Sequence, residues 1–310
     1  MGELQFQNRR DFLKYFLGSA AVLSGFTVGA NEIVKEKKVK KLVILYTNDQ
    51  HSRIEPFPEN DPKYAGQGGF SRRAAFIKQL RKENENVLLL DAGDVFQGTP
   101  YFNFYKGELE YKLMSQMGYD AVTLGNHDFD LGVENIVTQM PHANFSFINC
   151  NYNFSDTALT GKILPYKIFK KNGIKIGVLG VGIELEGLVE KKLFSSIKYN
   201  NPLDCANNTA HHLKNNLQCD YVICLSHLGY KYDTKKVSDI ILVEQSKNID
   251  LVIGGHTHTF LNEPVKYTNS EGKEVLITQV GWAGIWLGKI ELFFSDTNKK
   301  VFHNSNNQKI

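Results

Sequence analysis

Five short apolar runs, each closing on a polar cluster, set the rhythm of this chain. Lys41 to Thr47 (KLVILYT) ends in Asn48-Asp49-Gln50-His51, and Val87 to Leu90 ends in Asp91-Ala92-Gly93-Asp94. Ala121 to Leu124 ends in Gly125-Asn126-His127-Asp128-Phe129-Asp130, Tyr221 to Leu225 in Ser226-His227, and Leu251 to Ile253 in Gly254-Gly255-His256-Thr257-His258. Runs with no polar alternation predict strands buried on both faces. Phe70 to Lys82 carries Ala74, Ile77 and Leu80 at helical spacing, and Glu108 to Met117 reads as a helix stopped by Gly118. Pro202 to Asn216 predicts a helix with Asn201 as N-cap, and Thr234 to Ser246 another. Asn172-Gly173 between Tyr166–Lys170 and Ile174–Val178 is a hairpin signal. Phe145 to Asn149 is a short strand, Val275 to Val280 and Ile285 to Phe294 are the last strands, and a polar tail follows from about residue 301. Strands alternating with helices predict α/β layering, and the hairpin predicts mixed sheets.

The 310 residues are 42% hydrophobic with a formal net charge of +3, which suits one large globular domain, or two at most. So balanced a charge excludes a nucleic-acid binder driven by a basic surface. The N-terminus stands apart. Asn8-Arg9-Arg10-Asp11-Phe12-Leu13-Lys14 precedes an uncharged apolar segment, Tyr15 to Ala30, too short for the roughly 20 residues of a membrane span. The paired arginines resemble a twin-arginine export signal, with small residues at Val28-Gly29-Ala30 for cleavage. Residues 1–30 are therefore expected to be a leader read by the twin-arginine export machinery, and residues 31–40 a charged lead-in. The mature protein is then periplasmic, with no stable membrane span. An amphipathic helix or an uncleaved anchor is the other reading of the same residues. Cys150, Cys205, Cys219 and Cys224 form no C-x-x-C pair, which argues against a zinc knuckle and for buried free thiols. A Cys205–Cys219 or Cys219–Cys224 disulfide is the alternative in an oxidising compartment.

The polar clusters deliver metal-ligand types at five strand ends: Asp49 and His51, Asp94, Asn126 with His127, His227, and His256 with His258. In an open α/β sheet, ligands bind beyond the carboxyl ends of strands, so these residues are expected to meet in one crevice. Carboxylate, amide and imidazole donors together fit Mn, Zn, Fe or Co. His142, His211, His212 and His303 fall elsewhere and are expected to be ordinary surface residues.

Taken together, Thr47-Asn48-Asp49-x-His51, Gly93-Asp94-x-x-Gln97-Gly98, Gly125-Asn126-His127-Asp128-Phe129-Asp130, Ser226-His227 and Gly255-His256-Thr257-His258 resemble the binuclear metallophosphoesterases (calcineurin-like phosphoesterases), specifically the catalytic domain of the 5′-nucleotidase branch. The resemblance spans residues 41–294 and implies a four-layer αββα sandwich with two mixed β-sheets, the catalytic domain occupying residues 41–300. It also implies two divalent metal ions at the C-terminal strand ends. One would take Asp49, His51, Asp94 and His258, the other Asp94, Asn126, His227 and His256, with Asp94 shared. A metal-bridging hydroxide would attack phosphorus, and His127 would stabilise the developing charge or protonate the leaving oxygen. Asp130 would orient His127; it also reads as an N-cap for residues 131–140.

The implied activity is hydrolysis of phosphate monoesters, 5′-nucleotidase-like, on a small phosphorylated substrate of nucleotide type. Asn126, His127 and Arg53 are the candidate substrate contacts, with a solvated loop arginine as the plainer reading of Arg53. A 2′,3′-cyclic nucleotide phosphodiesterase or a nucleotide-sugar diphosphatase would use the same centre. A sulfur-ester hydrolase and a non-catalytic binding subunit are the remaining alternatives. No C-terminal nucleotide-binding domain is expected within the chain. Base recognition then falls either to an open site acting alone or to a separately encoded C-terminal nucleotidase domain docked as a partner.

Overall fold

Strand β1 (Lys40–Thr47) shows why the chain layers as it does. Leu42, Ile44 and Tyr46 enter one apolar cluster, Val43 and Leu45 enter another, and all five are buried. A strand with no polar face fits only between two apolar layers. The computed structural model describes residues 39–310. The expected leader and most of the charged lead-in lie outside the described residues.

After β1 come α1 (Phe70–Glu83), β2 (Val87–Asp91), α2 (Pro100–Tyr105), α3 (Glu108–Met117), β3 (Ala121–Val122), α4 (Gly132–Gln139), β4 (Ser146–Phe147) and β5 (Tyr152–Asn153). The hairpin of β6 (Tyr166–Lys171) and β7 (Ile174–Gly182) turns through Asn172 and Gly173, both with positive φ, as Asn-Gly favours. Then follow β8 (Lys198–Tyr199), α5 (Pro202–His211), β9 (Tyr221–His227), α6 (Asp239–Glu244) and β10 (Leu251–Gly254). The chain closes with β11 (Val265–Thr268), β12 (Glu274–Thr278), β13 (Trp286–Phe294), β14 (Lys300–Ser305) and β15 (Gln308–Lys309).

The first sheet runs β14-β13-β1-β2-β3-β4 with β15 also on β13, and the second runs β11-β12-β10-β9-β7-β6. Both are mixed. β1 to β4 are parallel with β13 antiparallel beside β1. β7, β9, β10 and β12 are parallel, with β6 and β11 antiparallel at the edges. The sheets face each other through Ile44, Tyr46 and Leu88 on one side and Val178, Ile223 and Ile253 on the other. Helices α1, α3 and α4 cover the outer face of the first sheet through Ile77, Met114 and Ile136. Helices α5 and α6 cover the second through Ala206 and Leu242. This is the expected αββα sandwich, and it brings the carboxyl ends of β1, β2 and β3 to the same edge as those of β9 and β10.

Four local expectations differ from what forms. The strand expected over Ala121–Leu124 stops at Val122, where its pairing with β2 and β4 ends. The helix expected from Thr234 begins only at Asp239, where Ser238 Oγ accepts from Ile241 N–H at 3.4 Å. The helix from Pro202 is capped by Asn201 as expected, but widens into a π turn over residues 212–216. The polar tail is edge strand: Phe302 pairs in register with Phe293, and Ile310 bonds to Gly68 and Ile285. All four cysteines are free thiols, Cys219 and Cys224 being buried.

Candidate metal centre

The residues that would hold metal are placed by both sheets. β1, β2 and β3 run out into Asp49, His51, Asp94, Asn126 and His127, while β9 and β10 run out into His227, His256 and His258. Potential ligand atoms of Asp49, His51 and His258 lie within 4.8 Å of one another, as do those of Asp94, His227 and His256. His51 Nε2 is 3.0 Å from His258 Nε2, and His258 Nε2 is 3.4 Å from Asp49 Oδ1. His227 Nε2 is 3.0 Å from Asp94 Oδ2, and His256 Nδ1 is 2.8 Å from Asn126 Oδ1. The two triads are contiguous, since His51 Nε2 also stands 3.9 Å from Asp94 Oδ2. All seven residues expected to be ligands are thus brought together.

Tautomers are set from behind. His227 Nδ1 donates to Ala92 O at 2.7 Å, and His51 Nδ1 donates to Gln97 O at 3.2 Å. A carbonyl can only accept, so in each ring Nε2 is the atom left facing the crevice, the arrangement usual for metal-binding histidines. His227 Nε2 is completely buried and makes no hydrogen bond of acceptable geometry among the described residues. Such an atom, aimed at a buried carboxylate, fits a cation.

The electrostatics agree. Burial pushes His51 down, and His256 down to about 4, so both present neutral imidazoles. Burial also pulls on His227, but Asp94 outweighs it and drives His227 up to about 10. Burial opposes the Asp94 charge as well, yet the facing His227 holds it well below the usual carboxylate range. The 3.0 Å gap between Asp94 and His227 therefore attracts positive charge strongly.

The backbone bends sharply to aim these groups. Asp49, His51, Asp94, His256 and His258 all have φ between 49° and 74°, a conformation costing non-glycine residues on the order of 1 kcal/mol or more each. The bends are held by fixed partners. His256 N–H donates to both Asp49 oxygens at 2.9 and 3.0 Å, and Asn48 ties the same loop to Gly281 O at 2.6 Å and Val280 N at 2.9 Å. Gly125 is glycine because a Cβ would collide with the Asp94 carboxylate and stand 2.5 Å from Asp94 N.

Two roles differ from the sequence expectation or escaped it. Asp130 does not cap α4, whose N-cap is Leu131; its carboxylate accepts from His127 Nδ1 at 2.8 Å instead. That bond holds the His127 imidazole above its ordinary range. Asp128, quoted in the motif without a role, is buried and accepts four backbone N–H groups: Gly125 at 2.8, Asp94 at 3.1, Val95 at 3.0 and Phe96 at 3.2 Å. Its only sequence signal was its place in a dense polar run. Arg53 lies just past His51 with its guanidinium 4.3 Å above the Phe57 ring. His142, His211, His212 and His303 stay outside the crevice, His212 resting on Tyr166 and His303 stacking on Phe302.

A family model described as calcineurin-like phosphoesterase matches residues 42–260. A snake venom 5′-nucleotidase from Crotalus adamanteus is 33% identical over 286 residues, 86% of this chain and 47% of that protein. The 5′-nucleotidase of Rattus norvegicus is 31% identical over 282 residues, 84% of this chain and 48% of that one. The crystal structure of a 5′-nucleotidase precursor from Thermus thermophilus superposes with a TM-score of 0.80 at 28% identity, covering 87% of this chain and 55% of that chain. The chain spans about half the length of the curated relatives it matches.

Replacing Asp128 with Asn puts an N–H₂ group among four N–H donors. Asp128→Asn is expected to lower stability by about 1–3 kcal/mol and to cut bound metal, read by denaturant unfolding and elemental analysis. Parental stability together with full metal content would show that the clamp is dispensable.

Proposed function

The chain belongs to the calcineurin-like phosphoesterase family, and on that premise we propose that it hydrolyses nucleoside 5′-monophosphates and related phosphate monoesters. The observation that carries this reading is the adjacency of the Asp49–His51–His258 and Asp94–His227–His256 triads, with Asn126 and the His127–Asp130 pair beside them. Members of this family use two divalent metals. Asp49, His51, Asp94 and His258 would hold one and Asp94, Asn126, His227 and His256 the other, with Asp94 shared between them. When bound, such cations polarise a phosphoryl oxygen and lower the pKa of water toward neutrality.

The chain's own residues supply the rest. Because Asp130 occupies His127 Nδ1, the proton that His127 can deliver to a leaving oxygen sits on Nε2. The same bond shifts His127 upward, which favours the protonated ring. The rings of His127 and His51 are 5.3 Å apart, which keeps that donor against the centre. Arg53 would draw the substrate phosphate toward the same edge, and its cationic head suits a dianion. Residues 41–300 would form the catalytic unit. Mixed nitrogen and oxygen donors admit Mn, Zn, Fe or Co, and loading in the cytoplasm before export would favour manganese over zinc.

Residues 1–30 support export by the twin-arginine route to the periplasm. Mass spectrometry of the protein recovered from its host is expected to show an N-terminus after Ala30 in the exported fraction. An intact leader on an exclusively cytoplasmic protein would end that reading.

The purified protein is expected to lose activity to a chelator and regain it with Mn²⁺, Co²⁺ or Zn²⁺. Assays on AMP, p-nitrophenyl phosphate, 2′,3′-cyclic AMP and UDP-glucose should rank AMP first. Preference for the cyclic or sugar-linked substrate would reassign the ester class, and inertness toward all four with every metal would remove the proposal. His127→Ala should lower turnover by about 10²–10⁴ while elemental analysis still finds the parental metal content. Parental turnover in that variant would take His127 out of the chemistry.

A further inference from the structure

Past the loop that carries His51 lies a cavity of about 820 Å³ for which the phosphate chemistry has no use. Its near wall abuts the centre. Gly98 packs on His51 so closely that a Cβ would stand 2.8 Å from the His51 carbonyl oxygen, and Thr99 Oγ1 donates to Ser52 O at 2.6 Å. Arg53 lines the cavity too. Its other wall is aromatic and comes from the short helix α2. Tyr101 and Tyr105 stack with ring centroids 6.4 Å and planes 18° apart, and Phe104 is 80% exposed. Tyr101 Oη donates to Glu55 Oε1 at 3.1 Å.

Single exposed apolar side chains are ordinary on protein surfaces. Three aromatic rings on one turn and a half of helix, lining a single concavity beside a charged centre, form the kind of wall that binds a planar ligand. We propose that this cavity is the leaving-group subsite, where the nucleobase of a nucleoside monophosphate lies against Tyr101, Phe104 and Tyr105 while the phosphate reaches the centre past Arg53. Stacking tolerates any base, since each has a π-face. The Glu55 carboxylate offers an acceptor for an exocyclic amine or ring N–H. The proposal rests on the phosphomonoesterase reading above and adds to it the source of base recognition within this chain.

Adenosine, the leaving group without the phosphate, is the probe. Calorimetric titration of the Mn²⁺-loaded full chain with adenosine is paired with KM and kcat for AMP and for ribose 5-phosphate. The variants are Phe104→Ala and Phe104→Trp, and the exposure of Phe104 means neither disturbs the core. Adenosine is expected to bind the parent and to bind Phe104→Ala about tenfold more weakly, with Phe104→Trp restoring affinity. KM for AMP should rise by the same factor, with kcat and the KM for ribose 5-phosphate unchanged. Absence of adenosine binding, equal binding by parent and Phe104→Ala, or a Phe104→Ala effect shared equally by AMP and ribose 5-phosphate would overturn the subsite. A parent that binds adenosine through Phe104 yet hydrolyses neither phosphate would leave the subsite standing and remove the phosphomonoesterase reading instead.

Discussion

One buried carboxylate holds the centre in shape. Asp128 gathers N–H groups from Gly125 on the loop after β3 and from Asp94, Val95 and Phe96 on the loop after β2. Those loops carry Asp94 and Asn126, so a single side chain fixes the separation of two candidate ligands by fixing the backbones beneath them. Several donors at once offset part of the cost of taking a carboxylate out of water, while burial and the neighbouring Asp94 still push Asp128 up to about 7. His127 N–H closes the circuit by donating to Asp94 Oδ1 at 2.8 Å.

A second buried network braces the loop after β1. Thr47 Oγ1 and Gln50 Nε2 both donate to Asp91 Oδ2, at 2.6 and 2.7 Å, and the wholly buried Arg73 guanidinium donates to Gln50 Oε1. Gln279 does similar work on the other sheet, donating to Gly255 O at 2.7 Å and accepting from Thr259 N–H. The left-handed turns at Asp49, His51, Asp94, His256 and His258 persist because such partners over-determine them.

Much of this was readable in the sequence, and for physical reasons. Fully apolar runs such as Leu42–Tyr46 and Val222–Leu225 can be stable only inside a layered α/β fold, and the residue types at their ends name the chemistry. Three of the misses share a cause. Asp128, Gln279 and Arg73 act on partners distant in the chain, or on backbone groups that carry no sequence signature. The strand character of Lys300–Ser305 was hidden because an edge strand half open to water carries polar residues such as His303 and Asn304. Leu131 at the N-cap of α4 could not be foreseen either, since the better capping residue, Asp130, is committed to His127.

The candidate ligands divide between the sheets, with Asp49, His51, Asp94 and Asn126 on one and His227, His256 and His258 on the other. Neither sheet alone offers a complete coordination sphere, so the cage comes into being only as the two halves of the sandwich close on each other. A cation seated there would rivet one half to the other across the gap. Affinity for the ion and cohesion of the whole domain would then be two readings of one equilibrium.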